Sequence, residues 1–334
     1  MNIVITPEVI RRVEDNLEYL IVDHWARREQ DVWWRRLVKT RTATTKRELL
    51  QWMLQTAGIK PMGDGGNATY EDLAEVMHEI LVERFGSALR LSEDEIEDGA
   101  AFDRAGQWAS QVAGSGAFWP QIQAAQLLRD GKTKGSYDGV AFFNTAHPIN
   151  PLIGAGAGTF ANLHYAMPFS PENLAKAYEL VATIKSTDGQ YRKLKPRIIA
   201  AGEVERLAVT QALKAEIAAD PVRSGTTAAA TNVIRTQYGF EEPIISADFD
   251  ETATVSGAQR GVWYLACDLV EDDQLGGIVY SERKPFSLNT YSHLDDVTLS
   301  QMDAWEWKFK GRNGITFGHP FLLHRFEPGA APGG

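Results

Sequence analysis

From Ser92 to Asp130 the sequence reads as one long helix, and whatever else the chain forms must be arranged along it. Ser92-Glu93-Asp94-Glu95 is a capping box. The Ser92 hydroxyl caps the backbone, Glu95 returns the bond, and the acids sit at the positive end of the helix dipole. Phe102, Ala105, Ala109, Val112 and Ala113 keep helical spacing. Gly114, Gly116 and Pro120 are expected to break or kink the helix. Ile122, Ala125 and Leu128 resume the pattern until Asp130-Gly131. A span of about 35 residues is well beyond the usual globular helix.

The flanks read differently. After Pro7, residues Val9, Val13, Leu17, Leu20 and Ile21 recur at helical spacing, which predicts a helix with Thr6 as N-cap and Pro7 at its first position. Trp25, Trp33 and Trp34 in this region are either core or a surface laid on a neighbouring subunit. Leu49, Leu50, Met53 and Leu54 also have helical spacing. The Gly-rich loop 58–67 must be irregular, and Met77 to Leu91 alternates like a strand interrupted at Gly86. Residues 46–92 therefore read as a protruding, hairpin-like excursion.

Beyond the long helix, a Pro/Gly-rich loop runs from His147 to Gly158, and Ser170-Pro171-Glu172 opens a helix with the stripe Leu174, Tyr178, Val181 and Ile184. Pro196 to Ala201 reads as a short buried strand. It leads into a helix from Glu203 to Ile217 with the stripe Val204, Leu207, Ala208 and Leu213. A polar linker, Asp220 to Thr231, follows. Strands are expected at Pro243 to Ala247, Gly261 to Leu269 and Gly277 to Ser281. Trp305, Trp307 and Phe309 alternate with charged residues, Gly311 to Gly314 reads as a turn, and Ile315 to Phe317 returns, a hairpin signal. The tail from Glu327 to Gly334 is Pro/Gly/Ala-rich and is expected to be disordered.

Composition narrows the function. The 334 residues are 44% hydrophobic and 23% charged, an ordinary soluble balance. No apolar run approaches the ~18 residues of a membrane span, and the N-terminus lacks a signal-peptide core, so folding in the cytoplasm is expected. A net charge of −10 argues against a dedicated nucleic-acid-binding domain and leaves room for loose contact with DNA. Cys267, without a second cysteine, cannot form an internal disulfide and reads as a small buried strand residue.

No set of residues demands catalysis, a cofactor or a metal. Gly154, Gly156 and Gly158 miss the dinucleotide fingerprint, since the third glycine falls one residue early and the flanks are loop. His24, His78, His147, His164, His293, His319 and His324 form no zinc-type spacing. His147 and His319 each precede proline, and both read as structural. The acids from Glu93 to Asp98 are explained by the helix start, and Glu271-Asp272-Asp273 by a solvated turn.

The motifs QLLRDG (126–131), YDGVAFFNTAHPINP (137–151), SERKPF (281–286) and WKFKGRNGITFGHPFLL (307–323), in this order, resemble the major head subunit of Mu-like tailed bacteriophages. The segments 195–216, 231–250 and 263–269 resemble the axial domain of the same subunits, and the likeness runs from roughly Lys46 to Phe326. It implies an α+β chain with the Hong Kong 97-type capsid fold. The implied parts are an N-terminal arm (1–45), an extended loop (46–92), a peripheral domain with a spine helix (93–195), an axial domain (196–281), and peripheral β structure with the C-terminal tail (282–334). It also implies a structural virion protein rather than an enzyme, without cofactor. Such a subunit assembles in the host bacterial cytoplasm into pentamers and hexamers of an icosahedral shell that encloses double-stranded DNA.

Expected partners are further copies of the chain, a separate scaffolding protein, a maturation protease, a portal, a decoration protein and loosely held DNA, with no membrane. An isolated subunit is expected to expose aromatics such as Trp33 and Trp34. Lys60 in the loop tip is a conceivable cross-link donor. A nanocompartment shell of encapsulin type shares the fold and is the alternative, followed by an unrecognised enzyme.

Overall fold

The computed structural model describes residues 7–53, 75–187, 189–215, 217–219, 229–270, 275–290 and 304–331. Along the chain come α1 (Pro7–Arg28), α2 (Trp34–Leu37), β1 (Lys39–Thr42), β2 (Arg47–Met53), β3 (Glu75–Leu81), β4 (Glu83–Ser92), α3 (Glu93–Glu97) and α4 (Ala100–Asp130). They are followed by β5 (His147–Pro148), β6 (Thr159–Phe160), β7 (Leu163–His164), α5 (Pro171–Ala182), β8 (Leu194–Ala201), α6 (Arg206–Lys214), β9 (Ile217–Ala219), β10 (Ala229–Thr231) and α7 (Val233–Gln237). The chain then forms β11 (Ile244–Ile245), β12 (Thr252–Val255), β13 (Ala258–Gly261), β14 (Trp263–Leu269), β15 (Ile278–Thr290), β16 (Ala304–Phe317) and β17 (Leu323–Phe326).

Two sheets organise these elements. One has the order β1-β15-β16-β4, the other β11-β8-β14-β17-β7. The second is buried on both faces, and successive residues show it. Ile198, Ala200, Tyr264 and Ala266 point into a core shared with the C-terminal half of α4. Ile199, Ala201, Trp263, Leu265 and Cys267 point into a core shared with α5 and α6. A strand covered on both sides needs apolar residues at every position rather than every second one, which accounts for the run WYLAC. Cys267 is a packed core residue, and burial pushes its thiol pKa upward.

The helix α4 touches both sheets. Ala105, Ala109, Val112 and Ala113 pack against Val13, Leu17 and Ile21 of α1 and against Trp305, Trp307 and Phe309 of β16. Ala124, Ala125, Leu127 and Leu128 pack against the five-stranded sheet. The Ser92 capping box forms as expected. The break does not fall where expected. Gly99, at φ +78°, separates α3 from α4, whereas the helix continues through Gly114, Gly116 and Pro120. A Cβ on Gly116 would lie 2.6 Å from the Trp25 ring and 2.9 Å from that of Phe309, so this glycine serves packing. Gly116 is also residue i−4 to Pro120, whose ring crowds that position. Burial along α4 offsets the proline.

Other sequence expectations are corrected. Residues 47–53 form β2, not a helix. Leu50 is buried while Leu49 is exposed, the alternation of a half-covered strand. Gly86 does not interrupt β4, because it lies in the strand with its α-carbon against Phe309 O and Lys310. The helix expected over 203–217 ends at Lys214, and Ile217 opens β9. Its buried residues are Val209 and Ala212, whereas Leu207 is exposed, so the face in contact lies to one side of the stripe read from sequence.

The expected turn at Gly311–Gly314 is absent. β16 runs straight through it, paired with β15 on one side and β4 on the other. A Cβ on Gly311 would meet the Phe286 ring at 3.0 Å, and one on Gly314 would collide with the Leu81 carbonyl. Both glycines admit a neighbour rather than bend the chain. After Phe317 the chain enters the other sheet as β17. The tail is tied down as far as Gly329: Ala166 N–H donates to Gly329 O at 2.7 Å and Met167 N–H to Glu327 O at 2.9 Å. Trp33 and Trp34, expected to be exposed, are buried. Trp33 packs on Phe249 and donates its indole N–H to Asp248 at 2.8 Å, and Trp34 packs on Tyr280. Thr6, the loop 58–67 with Lys60, most of the linker 220–231, the acids 271–273 and His293 lie outside the described residues.

The two uses of glycine give a paired prediction. Gly314→Ala should cost about 1–3 kcal/mol through a clash that backbone cannot relieve. Gly114→Ala, with nothing within 4 Å of the added carbon, should be neutral or stabilise by up to about 1 kcal/mol. Denaturant midpoints of the two variants check this.

Candidate assembly site

β2 and β3 pair in antiparallel register from Arg47↔Leu81 to Met53↔Glu75. A two-stranded ribbon is marginal alone, and this one is held at its base. Leu50, Ile80 and Val82 pack with Ala43 and Val279, Val82 N–H donates to Lys46 O at 2.8 Å, and His78 Nε2 lies 3.0 Å from Thr316 Oγ1 of β16. Among the described residues the opposite face is more open. Leu49 and Met77 are each 58% exposed and Leu81 45%, with the Arg47–Glu79 ion pair at 3.3 Å among them. A mixed apolar and charged strip on an isolated ribbon is the kind of surface that a partner buries. Sequence reasoning placed an excursion here but could not tell Leu49 from Leu50.

The motif from Tyr137 to Pro148 forms a buried knot beneath this region. Phe142 stacks on Phe317 with ring centroids 3.8 Å apart. Phe143 occupies the space that a side chain at Gly131 would need. His147 faces Asp138 Oδ2 through Nδ1 at 2.6 Å, and its Nε2 donates to Phe142 O and Asn162 Oδ1, both at 3.0 Å. Asn162 Nδ2 in turn donates to Phe142 O at 2.7 Å and to Pro320 O at 3.1 Å. The His147 and Asp138 side chains are 0% and 1% exposed. The aspartate–histidine pair therefore orients backbone carbonyls around a core loop, and among the described residues no hydroxyl or thiol is a hydrogen-bond partner of it.

A second buried tie centres on Arg325, whose side chain is 1% exposed. It donates to Glu251 Oε2 at 2.6 Å, to Tyr264 Oη at 2.8 Å and to Glu327 Oε1 at 3.0 Å. Burial disfavours its charge, but Tyr264, Glu251 and Glu327 outweigh that, and the guanidinium pKa is raised.

The remaining sequence candidates do not converge. Gly154–Ala157 form a 3-10 turn at the surface, with Gly154 at φ +73° and Gly158 at φ +95°. The acids of α3 cap its start. His164 and His324 stack at 5.8 Å, and His319 stacks on Phe321 at 4.8 Å. Burial lowers the pKa of His164 to about 4 and that of His319 to about 3, with Arg192 assisting at His319. Burial, then His164, lowers that of His324 to about 3. Among the described residues no three His, Cys, Asp or Glu side chains group as metal ligands, and no described helix is long and apolar enough to cross a membrane.

These geometries predict two stability effects. Asp138→Ala should cost about 3–5 kcal/mol, the usual penalty for stripping one partner from a buried pair, seen as a lower denaturant midpoint. The three histidines set a pH dependence. Unfolded, they titrate near pH 6.5; folded, they stay neutral far below it. The unfolded chain then binds more protons, so stability should fall as pH drops from about 6.5 toward 4, by roughly 1.4 kcal/mol per pH unit for each group. Denaturant midpoints between pH 7 and 4 should show this decline, and His324→Phe should make it shallower.

Comparison with known proteins places these features. Residues 24–167 match the family model of the Mu-like prophage major head subunit gpT. The matched region begins inside α1 and takes in the hairpin, α4 and the buried knot. No curated protein matches by sequence. Among solved structures, the cyanophage P-SCSP1u capsid subunit is 9% identical, with a TM-score of 0.51 over 88% of this chain and 87% of that one. The subunit of the mature bacteriophage PhiM1 capsid is 12% identical, with a TM-score of 0.50 over 87% and 84%. The bacteriophage JBD30 procapsid chain is 17% identical, with a TM-score of 0.47 over 96% and 75%. At these identities the first two show the fold, the α+β fold of Hong Kong 97-type capsid proteins. The chain thus has the capsid fold, and its residues 24–167, under half of its length, are similar to the Mu-like prophage major head subunit gpT.

Proposed function

We propose that this subunit assembles into pentamers and hexamers that tile an icosahedral shell around double-stranded DNA, and that it does so as a structural protein without catalysis. The observation that carries the reading is the gpT match over 24–167, joined to the half-exposed apolar face of the β2–β3 ribbon inside that same region. A closed shell repeats one contact between copies of one chain. A ribbon rooted in the subunit core, with Leu49, Met77 and Leu81 half-exposed, supplies such a contact.

In this reading residues 1–45 are the arm, 46–92 the extended loop, 93–195 the peripheral domain with α4 as spine, and 196–281 the axial domain. Residues 282–334 return to peripheral β structure and the tail, with β17 joining the sheet of β8 and β14. A separate scaffolding protein, a maturation protease, a portal and a decoration protein are the proposed partners, and the host cytoplasm the place of assembly. A net charge of −10 suits a shell that holds DNA loosely and releases it. The fold alone serves a nanocompartment shell equally well, and the gpT match favours the phage head.

The test is to express the chain alone and together with the genes flanking its own, and to image the products by electron microscopy. Closed shells, or stable pentamers and hexamers, are the expected outcome. Monomers that never associate at high concentration in either setting would overturn the reading. Leu49→Glu with Met77→Glu should abolish shells while leaving the denaturant midpoint within about 0.5 kcal/mol of the parent, as for other surface changes.

A further inference from the structure

A small cleft lies where α1, α2, the middle of α4 and β15 meet. It encloses about 70 Å³, several times the roughly 10–15 Å³ that one water needs. Four aromatic rings line it: Trp25, Trp34, Tyr280 and Phe286. Trp34 and Tyr280 lie 5.3 Å apart, and Trp25 and Phe286 6.1 Å apart, both pairs tilted. Gly116 of α4 is what lets Trp25 approach so closely.

The charged groups in the same lining are Glu29, Glu282 and Arg35. Arg35 is already committed. Its guanidinium lies over the Trp34 ring at 4.9 Å and pairs with Glu29. Glu282 is half-buried and makes no ion pair within 4 Å among the described residues; burial raises its carboxyl pKa, and the nearby Arg35 guanidinium offsets that only in part. Two carboxylates and one guanidinium leave a charge of −1 inside an aromatic enclosure. Trp34 is 6% exposed, and its indole N–H is buried without an acceptor among the described residues.

Aromatic faces attract cations through the ring quadrupole, and an enclosure of several rings with a carboxylate selects an organic monocation. We propose that this cleft is a binding site for one alkylammonium or guanidinium head group, held between the Trp25 and Trp34 rings and Glu282. The bound group neutralises Glu282. A water carried with it accepts from Trp34 Nε1. Two sources present this chemistry: a lysine or arginine side chain of a second copy of the chain, and a free aliphatic amine.

The test is ¹⁹F NMR of the full chain labelled with 5-fluorotryptophan, with Trp25→Phe and Trp34→Phe assigning the two signals. n-Butylammonium chloride is titrated in against sodium chloride at matched ionic strength. If a free amine is the occupant, both signals should shift saturably with butylammonium alone. If a second copy is the occupant, they should shift as protein concentration rises, and butylammonium should reverse the change. In either case Glu282→Gln should weaken the response about tenfold, the size of one cation–π or charge contact. Arg35→Gln should strengthen it by removing the resident cation. Circular dichroism confirms that both variants are folded. Shifts no larger than those with sodium chloride in both arms, or a response to which Glu282→Gln and Arg35→Gln make no opposite difference, would overturn the proposal.

Discussion

The molecule depends on one helix that has to fit two different sheets. The first half of α4 presents alanines to α1 and to the Trp305, Trp307 and Phe309 face of β16. Its second half presents Ala124, Ala125, Leu127 and Leu128 to β8 and β14. Fully burying a large side chain is worth roughly 1.5–3 kcal/mol, so each end of the helix is anchored by several such terms. Small residues on α4 let the rings of its neighbours come close, and Gly116 and Gly131 are the extreme cases. A helix so committed along its length can absorb Pro120 without breaking.

Polar groups buried beside α4 decide how the rest attaches. Asp248 accepts from Trp33 Nε1 at 2.8 Å and from Gln121 Nε2 at 2.9 Å, while Arg129 donates to its backbone carbonyl. The segment between α1 and α2, the helix α4 and the segment after β11 thus converge on one carboxylate. Arg325 does the same for β17, Glu251 and the end of α4, where it reaches Leu128 O at 3.4 Å. These contacts are directional. An apolar core alone tolerates sliding, whereas a buried charge or amide left unpaired is costly. The knot around His147 and Asn162 works likewise, tying the 137–148 motif to the carbonyls of Pro320 and Leu323.

What the sequence made legible was local. The Ser92 capping box, the Ser170-Pro171 start and the α1 stripe all formed, because each depends on residues within a few positions of one another. Glycine defeated the same reading. Gly99 breaks a helix through a positive φ, and Gly311 and Gly314 pass a ring and a carbonyl without turning. The residue type is identical, and only the distant neighbour tells them apart. The stretch 47–53 failed for a related reason, since Leu49, Leu50 and Met53 satisfy helical spacing while their pairing partner lies more than twenty residues away. Of the candidate assembly surface, the excursion was legible and its exposed face was not. Trp33 and Trp34, for which the residue pattern left core and neighbour-facing surface both open, are core because Phe249, Asp248 and Tyr280 arrive from far along the chain.

The edges of the four-stranded sheet narrow the way copies can meet. β4 is an outer strand of ten residues, and a long bare edge invites uncontrolled pairing with another chain. Here its first half carries Glu83 and Arg84 in exposed positions, and Arg90 follows farther along. Charge of both signs on an edge discourages strand addition, because an incoming strand has to desolvate it. β3 leads directly into this edge through Val82, and its exposed face sets the apolar Met77 and Leu81 beside Glu79, which pairs with Arg47. The change from apolar to charged within a few residues separates a surface suited to side-chain burial from one protected against backbone pairing. Association that buries the ribbon face without extending the sheet would keep the contact finite, which is what the proposed closed shell requires in place of a fibre.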